Sequence, residues 1–147
     1  MFINSLLFNV MKIPKFEAQT EWVKPTEFPD LRKVDEIAID LETKDPDLIK
    51  KGSGSVIGNG EVIGIAVATK HYKGYFPIAH EGGGNMDRSR VLLWLKDILE
   101  APSTKVFHNA IYDVCWLRSM GFKINGDIAC TMIASALTDE NRFRYDL

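Results

Sequence analysis

Residues 37–45 read IAIDLETKD. Ile37, Ala38, Ile39 and Leu41 give this stretch the apolar, β-branched character of a buried strand, yet Asp40 and Glu42 interrupt it two positions apart. Side chains alternate across a strand, so the two carboxylates project from one face and sit close together. Like charges held that way repel unless something positive lies between them.

Working outward, Val34–Leu41 is predicted as the first strand, and residues 43–60, with Pro46, Lys50, Lys51 and the run GSGSVIGNG, as a flexible loop. The loop lacks a GK[ST] ending and a following helix, so it is not read as a phosphate-binding loop. Val62–Thr69 alternates and Tyr72–Ile78 continues it after a Lys70-His71 turn, which makes a β-hairpin. HEGGGNMD then offers Asn85 or Asp87 as the N-cap of a helix marked by Val91, Leu92, Leu95, Ile98 and Leu99 and stopped by Pro102. A short strand, Lys105–His108, leads into Ile111, Val114, Cys115, Leu117 and Arg118 at helical spacing, with Asn109 at the N-cap and Gly121 at the end. Asp113 follows Asn109 by one turn on the same helical face. A strand near Phe122–Ile124 and a helix from Thr131 to Leu137 close the pattern. Residues 1–33, with Pro14, Pro25 and Pro29, are read as an irregular N-terminal arm whose Phe16, Trp22 and Phe28 pack across a single domain over 34–147.

The chain has 147 residues, 46% of them hydrophobic, enough for one domain with a real core. Lys plus Arg number 18 against 20 for Asp plus Glu, so the net charge of −2 argues against a broad basic nucleic-acid surface and leaves open a site where metal ions supply positive charge. Cys115 and Cys130 lack metal-ligand spacing and read as reduced core thiols of a cytoplasmic protein. MFINSLLFNV has neither a basic leader nor a cleavage site and is too short to span a bilayer, which leaves Met1 or Met11 as the start and no membrane association.

IAIDLET and VFHNAIYDVCWL, taken in this order of elements, resemble the first two motifs of the 3′-to-5′ exonuclease superfamily with Asp-Glu-Asp-Asp carboxylates, the DnaQ-like enzymes. The resemblance covers roughly residues 34–147 and extends in TMIASALTDENRFRYDL to the proofreading domain of phage-type family A DNA polymerases. It implies an α/β ribonuclease H-like fold: a mixed central sheet with helices on its faces, three antiparallel strands over residues 34–78 and a fourth added parallel. It also implies two divalent cations, Mg²⁺ or Mn²⁺, because in-line hydrolysis of a phosphodiester needs charge stabilisation on both attacking and leaving oxygens, and hard cations take carboxylate ligands. Asp40 would bridge the ions, Glu42 would hold the one that activates water, and Asp113 would serve the second. Leu41, Thr43, His108 and Asn109 are where the resemblance places the terminal nucleotide of a single-stranded DNA 3′ end. A downstream polymerase module and the cytoplasm of a phage-infected host complete the expectation.

Plainer readings exist for each residue. Asp40 can end a strand, Glu42 and Asp113 can be solvent-facing, Asn109 can be an ordinary cap, and His108 can be structural; Tyr112, Trp116 and Leu117 read as core. The family's fourth carboxylate, an Asp four residues after a Tyr or five after a His, has no counterpart; Tyr145 and Asp146 are adjacent, and Cys130 stands where relatives commonly have Asp before Thr-Met. The fold is accordingly expected to be incomplete at the C-terminus, and the chain alone a poor exonuclease. Two alternatives share the frame: an RNA-trimming exonuclease of the ribonuclease D type, and an inactive ribonuclease H-like binding module.

Overall fold

Alternation along β1, Glu36–Lys44, sets the layout: Ile37, Ile39 and Leu41 are buried, while Ala38, Asp40 and Glu42 are exposed on the other face. The computed structural model describes residues 22–145, so Phe16, Asp146 and the rest of residues 1–21 and 146–147 lie outside the described residues. β1 pairs antiparallel with β2, Glu61–Ala68, which turns into antiparallel β3, Lys73–Pro77. On its other edge β1 pairs parallel with β4, Thr104–Phe107, and β4 with β5, Ile128–Cys130, giving the order β3-β2-β1-β4-β5. The mixed sheet and the parallel addition after a helix agree with the α/β fold expected from the sequence.

Local chemistry places each turn. Thr69 Oγ1 accepts from the N–H groups of His71 at 3.3 Å and Tyr72 at 3.1 Å, closing the hairpin. α1, Leu48–Lys51, and α2, Gly54–Ile57, are single turns between β1 and β2. Asp87 caps α3, Arg88–Glu100, by accepting from Arg90 N–H at 2.9 Å, and α3 ends at Ala101, whose extended backbone is what Pro102 imposes on its predecessor. α4, Ala110–Ser119, follows β4, and α5, Thr131–Thr138, follows β5.

A single core joins the inward residues of the sheet to α3 and α4: Ile37, Ile65, Phe76 and Phe107 meet Val91, Leu95, Leu99, Trp116 and Leu117. Each fully buried aliphatic or aromatic side chain there contributes roughly 1.5–3 kcal/mol of transfer free energy. Of the arm, residues 22–35 carry no helix or strand. Phe28 stacks on Phe76 at 6.0 Å and meets Trp94 at 5.8 Å, while Trp94 Nε1 donates to Pro29 O at 2.8 Å. The helices that carry this core lie on one face. The opposite face, floored by Ala38, Ala66, Ala68 and Val106, opens into a groove of about 1050 Å³ walled by Trp22 and Tyr75. Among the described residues no helix is long and apolar enough to cross a membrane.

Three expectations change. The first strand runs on to Lys44, because pairing with β2 continues through a bulge between Glu42 and Thr43. The flexible loop at 43–60 folds into α1 and α2, because Asp45 accepts Gly54 N–H through both carboxylate oxygens, at 3.1 and 3.0 Å. No strand forms at Phe122–Ile124: the Phe122 N–H bonds Leu117 O at 3.0 Å in the turn that Gly121 (φ 86°) permits, and the Asn125 N–H bonds Leu99 O at 2.9 Å. The fifth strand starts instead at Ile128.

Lys105, fully buried in β4, holds this region together with no carboxylate partner among the described residues. Its Nζ donates to the carbonyls of Ala101, Ser103 (2.9 Å) and Asn125 (2.9 Å), and burial holds its pKa below the usual lysine range. Lys105→Ala strips three carbonyls, two of them buried, of their donor and leaves a cavity, so urea denaturation should show a loss of more than about 3 kcal/mol. An unchanged midpoint would mean that water or other donors already satisfy those carbonyls.

Candidate active site

Asn109 turns the chain from β4 into α4. It is the one non-glycine residue with positive φ (61°) among the described residues, a conformation that Asn tolerates better than most side chains. Its exposed side chain makes no capping hydrogen bond, so it sits at the N-cap position without acting as a cap. The turn swings α4 back over β1 and puts Asp113, in the first helical turn, against the strand: the Leu41 N–H donates to Asp113 Oδ1 at 3.1 Å.

Asp113 is only 3% exposed and makes no ion pair among the described residues. Burial, opposed by the Leu41 N–H and reinforced by the negative charge of Asp40, pushes its pKa up to about 6. Two acidic groups, one on β1 and one on α4, therefore lie within electrostatic reach of each other. Glu42 stands one row further along the same face, opposite Gly64, and its charge reaches Tyr75 on β3. Among the described residues no three His, Cys, Asp or Glu side chains gather closely enough to hold one ion. The donor set fits a hard divalent cation in kind, all oxygen and one carboxylate buried without compensation, although it is not closed into a cage.

Around the acidic pair the hydroxyls are tied down. Tyr112 Oη donates to Asp45 Oδ2 at 3.0 Å, so the 2.7 Å contact from Thr43 Oγ1 to that phenol has Thr43 as donor. Tyr112, expected in the core, is half-buried with this polar end, whereas Trp116 and Leu117 are buried. Leu41 is itself buried and its N–H is committed to Asp113. Thr131 Oγ1 donates to Phe107 O at 3.2 Å, which makes His108 Nδ1 the donor in its 2.9 Å contact with Thr131 and leaves Nε2 a bare acceptor, buried without a partner. Cys130, at the start of α5, accepts the Ala110 N–H at 3.4 Å. Burial raises that thiol's pKa, but the amide groups of Ala110, Ile133, Met132 and Asn109 together outweigh it and the net direction is down. An acceptor is what two converging helix starts require at this position.

Asp45, Tyr75, His80 and Thr131 were not singled out from the sequence. Asp45 lies within IAIDLETKD itself, but its partners Gly54 and Tyr112 are remote or out of phase, and the others act through contacts that leave no local pattern.

A family model described as 3′-5′ exonuclease matches residues 26–146. A DNA-directed DNA polymerase of Pseudomonas phage M6 is 41% identical over 114 residues, 71% of this chain and 16% of that protein. DNA polymerase DpoZ of Salmonella phage PMBT28 is 30% identical over 122 residues, 82% of this chain and 17% of that protein. The chain thus spans about a sixth of the length of these relatives. Among solved structures, Brucella melitensis NrnC with bound Mg²⁺ superposes with a TM-score of 0.55 at 22% identity, covering 80% of this chain and 52% of that one. The POL domain of Pol1 from M. smegmatis, in complex with DNA primer-template and dNTP, gives 0.55 at 14% identity over 85% of this chain and 20% of that one. Both share the fold.

The raised Asp113 makes a prediction about pH. The folded chain keeps this proton up to about pH 6, whereas the unfolded chain releases it near the ordinary aspartate value of 3.8, so the folded state binds more protons between the two. Stability from this group is full below the lower value and is lost as pH rises through about 6. In metal-free buffer, denaturation curves of the wild type compared with Asp113→Asn should diverge over that window by as much as about 3 kcal/mol. Parallel curves would mean that Asp113 is ionised throughout.

Proposed function

As this chain belongs to the 3′-5′ exonuclease family, we propose that it removes nucleotides from single-stranded DNA 3′ ends with two divalent cations, as the proofreading domain of a larger DNA polymerase. The observation that carries this reading is the buried, unpaired Asp113 set against Asp40, a local excess of negative charge that a cation would offset. Asp40, Glu42 and Asp113 are the residues that would hold Mg²⁺ or Mn²⁺. Once bound, the cations supply charge stabilisation to the attacking and leaving oxygens of the phosphodiester.

The chain's own groups do the positioning. The Leu41 N–H fixes one oxygen of Asp113 and leaves the other available, and Asp113 gives up its proton when it ligates, so cation binding strengthens as pH rises toward 6. The exposed amide of Asn109 is the substrate contact in this reading, with His108, held by Thr131, directly before it in the chain. Thr43, held by Tyr112, lines the same end of β1. The fourth carboxylate expected of the family is assigned to a part of the parent protein other than these residues, together with the polymerase module. A second reading, trimming of RNA, shares the same metal chemistry and differs only in contacts to the 2′-hydroxyl.

The test is trimming of a 3′-labelled single strand in Mn²⁺ by the parent protein, with DNA and RNA of one sequence in parallel. Asp40→Ala should lower the rate roughly 100-fold or more, since loss of metal stabilisation is worth several kcal/mol. Faster RNA trimming moves the assignment to the second reading, and equal trimming by wild type and Asp40→Ala ends the metal role.

A further inference from the structure

Tyr75 lies in the same row of the sheet as Asp40, with Ala66 between them. Its half-buried side chain leans along the surface until the hydroxyl stands over Gly64, the residue that pairs with Glu42. A Cβ on Gly64 would come within 1.8 Å of that oxygen, so glycine is what lets the phenol reach the Glu42 row. The hydroxyl is hydrogen-bonded to His80 Nε2. His80 is itself clasped through its backbone: its N–H donates to Asn85 Oδ1 at 2.8 Å and its carbonyl accepts from Asn85 Nδ2 at 2.8 Å. An ion pair from Lys44 to Glu81 ties the same loop to the end of β1. The glycine-rich segment after β3 is therefore fastened beside the acidic strand, with its histidine aimed at the phenol nearest Glu42.

The direction of the hydrogen bonds follows from charge. A carboxylate only accepts, so a phenol beside it is favourable when its hydrogen points at the carboxylate and unfavourable when a lone pair does. Turning the phenol hydrogen to Glu42 requires that His80 be the donor, through Nε2–H, in its bond to the Tyr75 oxygen. In agreement, burial and the Glu42 charge both raise the Tyr75 pKa, keeping the phenol protonated as a donor.

We propose that Tyr75 and His80 are positioning residues for Glu42, His80 Nε2–H donating to the Tyr75 oxygen and the Tyr75 hydroxyl donating to the Glu42 carboxylate. This rests on the exonuclease reading above. Glu42 is exposed on an open strand face, where its side chain is otherwise free to rotate, and an outer donor pair fixes the orientation in which it meets a cation.

Two measurements test the pair. Long-range ¹H–¹⁵N spectra of histidine side chains in this chain should show His80 as the Nε2–H tautomer; the Nδ1–H tautomer overturns the proposal whether or not the chain is active. In Mn²⁺-dependent trimming by the parent protein, Tyr75→Phe should raise the Mn²⁺ concentration for half-maximal rate about 10- to 100-fold, with KM for the oligonucleotide within about twofold. His80→Leu should match Tyr75→Phe, and His80→Gln, whose amide can still donate, should stay within about threefold of wild type. Wild-type Mn²⁺ dependence in a folded Tyr75→Phe protein overturns the pairing while leaving the exonuclease reading intact. If Glu42→Gln trims like wild type, or wild type neither trims nor binds Mn²⁺, the exonuclease reading itself fails and the pairing falls with it.

Discussion

The buried hydrogen bond from the Leu41 N–H to the Asp113 carboxylate joins two segments 72 residues apart, and the geometry of the site depends on it. It exists because Asn109 accepts a left-handed backbone and redirects the chain after β4, so that α4 starts over the strand instead of continuing along it. It also has a cost. Placing a carboxylate in the core within reach of the Asp40 charge opposes ionisation, and the amides of Leu41 and of Asp113 itself do not compensate it. The fold therefore holds this group in a charge environment that suits a neighbouring cation.

The sheet divides labour between its faces. Ile37, Ile39 and Leu41 point into the core with α3 and α4, and that packing fixes the register of β1. Register in turn decides chemistry, since a slip by one residue would bury Asp40 and Glu42 and expose the isoleucines. The other face is built from small residues, Ala38, Gly64, Ala66 and Ala68, over which Tyr75 and Trp22 can lean. Small side chains there contribute little packing energy, but they leave the acidic row accessible and make space for aromatic reach across strands.

Much of this was legible in the sequence. IAIDLETKD gave β1 and its acidic face through simple alternation, and HNAIYD gave a helix start with Asp113 one turn in. The end of β1 was misjudged because Glu-Thr-Lys-Asp looks like a loop; pairing through a bulge with β2 overrides that local preference. Phe122–Ile124 has strand-like residues, but its amides are spent on the ends of α4 and α3, and a three-residue strand such as Ile128–Cys130 carries too little pattern to compete. α1 and α2 were invisible because one carboxylate, Asp45, organises them through bonds to Gly54 and Tyr112. Tyr75 and His80 lie five residues apart and reach the Glu42 row only across the sheet, so no spacing rule within one element could reveal them.

That Asp40, Glu42 and Asp113 share a region without closing around one point follows from electrostatics. Carboxylates gathered this way repel, and each takes the best alternative at hand: Asp113 turns to an amide with its pKa raised to about 6, Asp40 stays in solvent, and Glu42 stands near a phenol. Bringing all three within bonding distance of a single point is uphill until a divalent ion is there, because the attraction of each ligand to the ion must exceed the repulsion among the ligands. What the fold supplies in advance is the two fixed elements, strand and helix, and the outer hydrogen bonds at each end that limit how far the carboxylates have to move.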